Sequence, residues 1–276
     1  MTGACAGAGV ARVPIARVAG ARATAAQDEL SVEAPLDIRV AVHGGDAAPR
    51  SLAVTMRTPG DDVELATGFL VSEGVIAAAG DLVAVAQVGA NAVQAVLHPG
   101  VRFDPGWFDR HSFVSSACGA CGKRLIEAVR VNGVHRVAAG TPRIDPDVVH
   151  ALPARLRAAQ SAFLRTGGIH ASGLFDVSGR LLLLREDVGR HNALDKLIGA
   201  ELRAGGIPAR DRLLLVSGRV GFELVQKAAM AGIPALAAVG APSSMAVDLA
   251  RAADITLLGF LRDGRFNVYT DAGRLG

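Results

Sequence analysis

Cys118 and Cys121 are separated by two residues in a run of small side chains, Ser115-Ser116-Ala117-Cys118-Gly119-Ala120-Cys121-Gly122, with Lys123 next. Small neighbours let another molecule's sulfur approach. The spacing of Leu125, Ile126 and Val129 predicts a helix over 123–131, which puts the pair at a helix N-terminus. Free N–H groups and the Lys123 ammonium there favour thiolate over thiol. Such a thiolate can attack a persulfide, carry the outer sulfur as Cys–S–SH and release it to an acceptor, while the second thiol resolves or protects the first. Two other chemistries use this spacing. A structural zinc site needs four ligands, and the chain has no second Cys-x-x-Cys and no paired-histidine motif. A thioredoxin-like redox pair belongs just after the first strand of a βαβ unit, whereas this one follows an aperiodic stretch, 101–117. The third cysteine, Cys5, reads as incidental.

Three further constellations carry polar chemistry. In Thr166-Gly167-Gly168-Ile169-His170 two glycines make a tight turn that either presents the His170 imidazole to a site or simply exposes it. Arg185-Glu186-Asp187-Val188-Gly189-Arg190-His191-Asn192 gathers ionisable side chains at a strand-to-helix junction, where α/β proteins bind ligands; the bland alternative is a solvated charged loop. Ser217-Gly218-Arg219 and Ala241-Pro242-Ser243-Ser244 each follow a strand and open a helix. Free N–H groups at the helix starts and the Arg219 guanidinium suit phosphate, so the two loops together predict a phosphate-binding crevice.

The elements that must position these groups follow from periodicity. Residues 36–42 and 52–56 read as a hairpin, 63–71 as a helix, and 82–88 with 92–97 as a second strand pair, giving an α+β half. From residue 181 strands and helices alternate: strand 181–184, helix 192–202, strand 213–216, helix 222–231, strand 234–239, helix 245–252 and strand 255–261. A hairpin through Asp263-Gly264 then leads into 266–269. That alternation predicts a three-layer α/β half whose sheet is at least partly parallel. The expected organisation is a disordered Ala/Gly/Arg-rich leader over 1–26, an α+β half with its loop over 27–117, and the cysteine loop with a cofactor-binding α/β half over 118–276.

With 276 residues, half of them apolar, the chain can bury a large core. Apolar runs are short and interrupted by Pro or Gly, so no membrane span is expected. A net charge of +3 is too small for a duplex-binding surface but suits a phosphate-bearing small molecule. Three cysteines cannot form a disulfide framework, which points to a reducing, cytoplasmic setting.

These motifs resemble the formate dehydrogenase accessory sulfurtransferase family. The likeness rests on Cys118-x-x-Cys121-Gly122-Lys123, on Thr166-Gly167-Gly168-x-His170, and on the run 185–196, which ends Asn192-Ala193-Leu194-Asp195-Lys196. It extends through Ser217-Gly218-Arg219, Phe222-Glu223-Leu224-Val225-Gln226-Lys227, Ala241-Pro242-Ser243-Ser244 and Gly259-Phe260-Leu261 to Phe266-Asn267-Val268-Tyr269-Thr270. The N-terminal hairpin matches more weakly, with Gly44-Gly45-Asp46 in place of a shorter turn, and the Ala-rich leader falls outside the likeness.

The resemblance implies a cytidine-deaminase-like α/β fold and a sulfur carrier. Such a carrier takes sulfur from a cysteine desulfurase and passes it to a molybdenum or tungsten bis(molybdopterin guanine dinucleotide) cofactor before insertion into formate dehydrogenase. It places the persulfide on Cys118 with Cys121 assisting. Cofactor contacts fall on Phe260, Leu261, Arg262, Asp263, Gly264 and Arg265, joined by Ser217, Arg219, Ser243, His170 and Asp195. No nucleic-acid or membrane partner is implied, and a homodimer suits a carrier with two partners. The main alternative, a zinc-dependent nucleobase deaminase, needs His-x-Glu upstream of Pro-Cys-x-x-Cys; here Ala117 precedes Cys118 and no His-x-Glu occurs upstream. A non-catalytic chaperone with idle thiols is the other.

Overall fold

The computed structural model describes residues 9–45, 47–101, 135 and 138–276. Its first element corrects the expected disordered leader. Val10–Ala19 (β1) and Arg22–Ser31 (β2) pair antiparallel across a two-residue turn in which Gly20 takes a positive φ of 60°. Alanine and arginine are weak strand formers, so the composition hides the strand signal. Distant partners supply the anchor: Arg165 Nε lies 2.8 Å from Glu29 Oε2, and the Ser31 and Thr166 hydroxyls are 2.9 Å apart.

The next strands follow the expected alternation. In Ala34–Val42 (β3), Leu36, Ile38 and Val40 are buried on one face. β3 pairs antiparallel with Arg50–Arg57 (β4), and Leu82–Gly89 (β5) pairs antiparallel with Ala92–Leu97 (β6). A parallel β3–β6 contact joins the two hairpins in the order β4-β3-β6-β5. Asp62–Ser72 (α1) sets Leu65 and Ala66 against Leu36, Ile38 and Val93 of this sheet.

After Pro146–Ala159 (α2) and Ser161–Thr166 (α3), a second sheet is built from His170–Phe175 (β7) and Leu181–Asp187 (β8). It continues with Leu213–Val216 (β9), Ala235–Ala238 (β10), Thr256–Arg262 (β11) and Arg265–Thr270 (β12). Their order is β12-β11-β10-β9-β7-β8, with β9, β10 and β11 mutually parallel and the outer strands antiparallel. Period-two patterning gives the sheet two apolar faces. Leu213, Leu215, Ala235 and Ala237 meet Val149, Leu152 and Leu156 of α2. On the other face, Leu214, Val216, Leu236 and Ala238 join Arg190–Arg203 (α4), Phe222–Met230 (α5) and Ser244–Ala252 (α6). That second cluster also takes in Val40, Leu70, Val71, Ala95 and Leu97, so one core runs through both halves of the chain. Among the described residues no helix is long and apolar enough to cross a membrane.

The halves meet most closely where α1 crosses α4. A Cβ on Gly199 would overlap the Glu64 carbonyl oxygen and lie 2.8 Å from Gly68 N, so the two backbones touch. Alanine is worth about 1 kcal/mol more than glycine within a helix, but here it must push two helices apart, and such overpacking costs roughly 1–3 kcal/mol. Gly199→Ala is therefore expected to lower stability by about 2 kcal/mol in urea titration; an unchanged midpoint would mean that the crossing can spread freely.

Candidate functional site

Because β9, β10 and β11 run parallel, the segments after them share one rim of the sheet. Backbone bonds stitch these segments together: Gly240 N–H donates to the Gly218 carbonyl at 3.1 Å and Phe260 N–H to the Gly240 carbonyl at 3.0 Å. Val220 N–H reaches the Ala241 carbonyl at 3.1 Å, and Ser243 N–H reaches that of Val220 at 2.9 Å. Glycine is required at this seam, since a Cβ on Gly240 would come within 3.0 Å of Arg219 N. The Ser217 hydroxyl accepts from Ala171 N–H at 2.9 Å, extending the β7–β9 pairing to the rim. Ser243 caps α6, accepting from Ala246 N–H at 3.3 Å. Arg219 is exposed, with no ion-pair partner among the described residues.

The β11–β12 hairpin forms the third part of the rim. Asp263 and Gly264 have φ of 54° and 69°, the paired left-handed conformation that a two-residue Asp-Gly hairpin turn needs. Arg262 and Arg265 face each other across it, both exposed. Phe260 also has a positive φ, 53°, at a register shift in the strand. For a bulky side chain this is a strained conformation of the kind that collects at ligand sites. The Arg262 guanidinium lies 5.6 Å from its ring centroid. Leu261 points into the core, leaving only its backbone at the rim.

His170 is the first residue of β7 rather than the tip of a turn; the left-handed Gly167, at φ 67°, ends α3 instead. A Cβ on Gly218 would fall 3.2 Å from His170 Nδ1, so the imidazole lies against the rim. Partial burial, reinforced by Arg190 and His191, holds its pKa below the ordinary value against the opposing pull of Asp187. His170 is therefore neutral at pH 7 and able to accept a proton or a hydrogen bond. His191 Nε2 lies 2.8 Å from Glu223 Oε2, and this close approach lowers the Glu223 pKa.

A cavity of about 520 Å³ opens beside this rim, lined by His170, Ser217 and Val239 on the sheet side. Arg157, Gln160 and Phe163, from the α2–α3 corner, line the other side.

Residues 31–276 match the model of the FdhD/NarQ family. The chain belongs to this family. Relatives named sulfur carrier protein FdhD include one from Nocardia farcinica, 48% identical over 270 residues, covering 96% of this chain and 94% of that protein. One from Streptomyces coelicolor is 47% identical, covering 96% and 95%. Another, from Mycobacterium tuberculosis, is 47% identical, covering 90% and 92%. The fold is similar to a crystal structure described as a formate dehydrogenase accessory protein from Desulfotalea psychrophila. There the TM-score is 0.75 at 21% identity, over 97% of this chain and all of that one.

Set on this FdhD/NarQ chain, the expected site residues divide three ways. Ser217, Arg219, Ser243, His170 and Phe260 to Arg265 gather at one rim. Cys118 and Cys121, with the helix expected at 123–131, lie outside the described residues. Asp195 belongs to the interior: it is 2% exposed, Ser72 Oγ donates to it at 2.7 Å, and Lys227 Nζ reaches both its oxygens at 2.9 and 2.8 Å. Burial pulls the Lys227 pKa down, but Asp195 and Glu73 outweigh it and the ammonium is held.

The charged run 185–192 is neither a solvated loop nor, for the most part, rim. Arg185 forks onto Glu64 at 2.6 and 2.8 Å. Glu186 accepts from Ala162 and Phe163 N–H, both at 2.9 Å, at the start of α3. Asp187, fully buried, meets Lys196 Nζ at 2.8 Å and Thr58 N–H at 3.1 Å. The run locks the two sheets together. Conversely, Arg157, Gln160 and Phe163 fall in 132–165, a stretch whose sequence predicts no element and no site residue. The available signal was Asp145-Pro146, whose aspartate caps α2 and whose proline fills its first turn.

Proposed function

We propose that this chain is a persulfide-forming sulfurtransferase of the cytoplasm that serves formate dehydrogenase maturation. The observation that carries the reading is the Cys118-x-x-Cys121 pair in a chain whose relatives, at 46–48% identity over most of its length, are named sulfur carrier proteins. The Cys118 thiolate attacks the outer sulfur of a cysteine desulfurase persulfide; the donor S–S bond breaks, the donor cysteine leaves as thiolate, and Cys118 keeps the sulfur. Its acceptor, on this reading, is the bis(molybdopterin guanine dinucleotide) cofactor, bound as substrate.

The rim suits such a substrate. Phosphates would meet the exposed Arg219, with the guanidinium groups of Arg262 and Arg265 beside the Asp-Gly turn. A neutral His170 would orient the acceptor end. Helices on both faces of a mixed sheet with three parallel central strands are compatible with a cytidine-deaminase-like arrangement, and a homodimer would let one carrier face donor and acceptor together. Mass spectrometry after incubation with a cysteine desulfurase and free cysteine tests the proposal. One added sulfur atom, removable by dithiothreitol, is expected; an unchanged mass would leave only a cofactor-binding chaperone.

A further inference from the structure

The β1–β2 hairpin is fixed at its base and bare at its tip. Glu29 ties the base to the body: Arg165 donates to it through Nε and Nη2 at 2.8 and 3.0 Å, and Arg12 Nε donates from the facing strand at 3.0 Å. Arg165 and then Arg12 hold the Glu29 pKa down at about 2, so this latch is charged at neutral pH. Residues 16–25, beyond it, are all exposed, Val18 to 67%. At about 3.4 Å per residue, the tip adds roughly 14 Å of two-stranded ribbon with both faces in water. Such a ribbon is marginal by itself, and its uncovered strands invite a partner.

Register sorts the tip into two faces, because directly paired residues share a side of the ribbon. Ala16, Ala25, Val18 and Ala23 fall on one face, which is wholly apolar. Arg17, Thr24, Ala19 and Arg22 fall on the other, and neither guanidinium has an ion-pair partner among the described residues. Asp28 and Glu29, the acidic residues of the hairpin, both sit at its base. Strands left in water are normally blunted by mixed charge, proline or a covering element. This tip has charge of one sign, no proline and, among the described residues, no cover. Its complement is an acidic surface with an apolar strip beside it.

We propose that residues 16–25 dock the protein that donates sulfur, on an acidic patch of that protein. The inference rests on the persulfide reading above and adds the surface that recognises the donor. A persulfide passes directly from a cysteine of one protein to a cysteine of the next, so donor and carrier must touch. The acceptor proposed above is a small molecule with a cavity of its own. The arm also stands on the acceptor's side of the molecule: α3 holds it through Arg165 and Thr166 and lines the rim cavity through Phe163. A contact confined to the tip of a ribbon is small, which suits a donor that leaves after each transfer.

Loading kinetics on the full chain, read by mass spectrometry, test it with sulfur supplied in two ways: by a cysteine desulfurase with free cysteine, and by sodium polysulfide alone. With the desulfurase, Arg17→Glu/Arg22→Glu is expected to raise the carrier concentration at half-maximal rate about tenfold, with the maximal rate nearly unchanged. Arg17→Lys/Arg22→Lys, which keeps the charge, should stay within about twofold of wild type. Added NaCl should slow the wild type toward the Glu variant. Polysulfide, which needs no docking, should load all three alike, and their Tm values should agree because the substituted side chains are exposed. An unchanged half-maximal concentration in the Glu variant would overturn the proposal. So would an equal loss with polysulfide, which would place the defect at the thiols. If the Glu variant loaded normally but eluted as a smaller species than wild type in size-exclusion chromatography, the arm would belong to a second copy of this chain instead. If polysulfide loaded the wild type and the desulfurase did not, the donor reading itself would fall, and this inference with it.

Discussion

Asp187→Ala is expected to cost about 3–5 kcal/mol of unfolding free energy, the usual penalty for removing one partner of a buried ion pair. Asp187 has no exposed surface, and one carboxylate serves four groups. Lys196 Nζ lies at 2.8 Å, Thr58 N–H at 3.1 Å, Gly189 N–H at 2.8 Å and Asn192 Nδ2 at 3.1 Å. Without it, Lys196, 1% exposed, would hold its charge in the interior against little more than the Thr58 carbonyl at 2.8 Å. The damage also spreads, because Asn192 bonds the Met56 carbonyl at 2.7 Å and so helps tie α4 to β4. Urea titration measures the loss. The double variant Asp187→Ala/Lys196→Met should recover most of it, since no stranded charge remains. A loss below about 1 kcal/mol in the single variant would show that Lys196 reaches water or another acceptor.

Cys118→Ala is expected to abolish both sulfur loading and formate dehydrogenase maturation while leaving Tm nearly unchanged. The argument is chemical: no other group in the Ser115–Gly122 run except Cys121 can form a persulfide, and the substitution removes a single sulfur atom. Cys121→Ala should retain some loading, because a resolving or protecting thiol affects the lifetime of the persulfide more than its formation. Desulfurase-dependent mass gain and formate dehydrogenase activity in a strain carrying each variant measure the two effects. The reverse ranking would move the carried sulfur to Cys121, and full activity of both variants would remove these thiols from the mechanism.

Much of this protein can be read from local pattern. Alternating apolar residues mark β3, helical spacing marks α1 as 63–71 against an observed Asp62–Ser72, and strand 213–216 is found as expected. The Asp263-Gly264 hairpin and the strand-to-helix loops at Ser217 and Ala241 are also visible, because turn and cap preferences act within a few residues. The thiol chemistry proposed for Cys118 and Cys121 likewise starts from residue type and spacing alone. The partners of a charged side chain are decided elsewhere in the chain, and only the tertiary structure supplies them. The run 185–192 has the composition of a ligand loop, yet packing gives Arg185 to Glu64 and Asp187 to Lys196 and Thr58, turning most of it into the lock between two sheets. Asp195 is likewise claimed by Lys227. The β1–β2 hairpin exists in spite of an Ala- and Arg-rich composition because Glu29 and Ser31 find Arg165 and Thr166 more than a hundred residues away. Gln160 carries no sequence signal at all. Its side-chain Nε2 finds no hydrogen-bond partner among the described residues, and an unmade hydrogen bond is a property of the folded surroundings rather than of the residue.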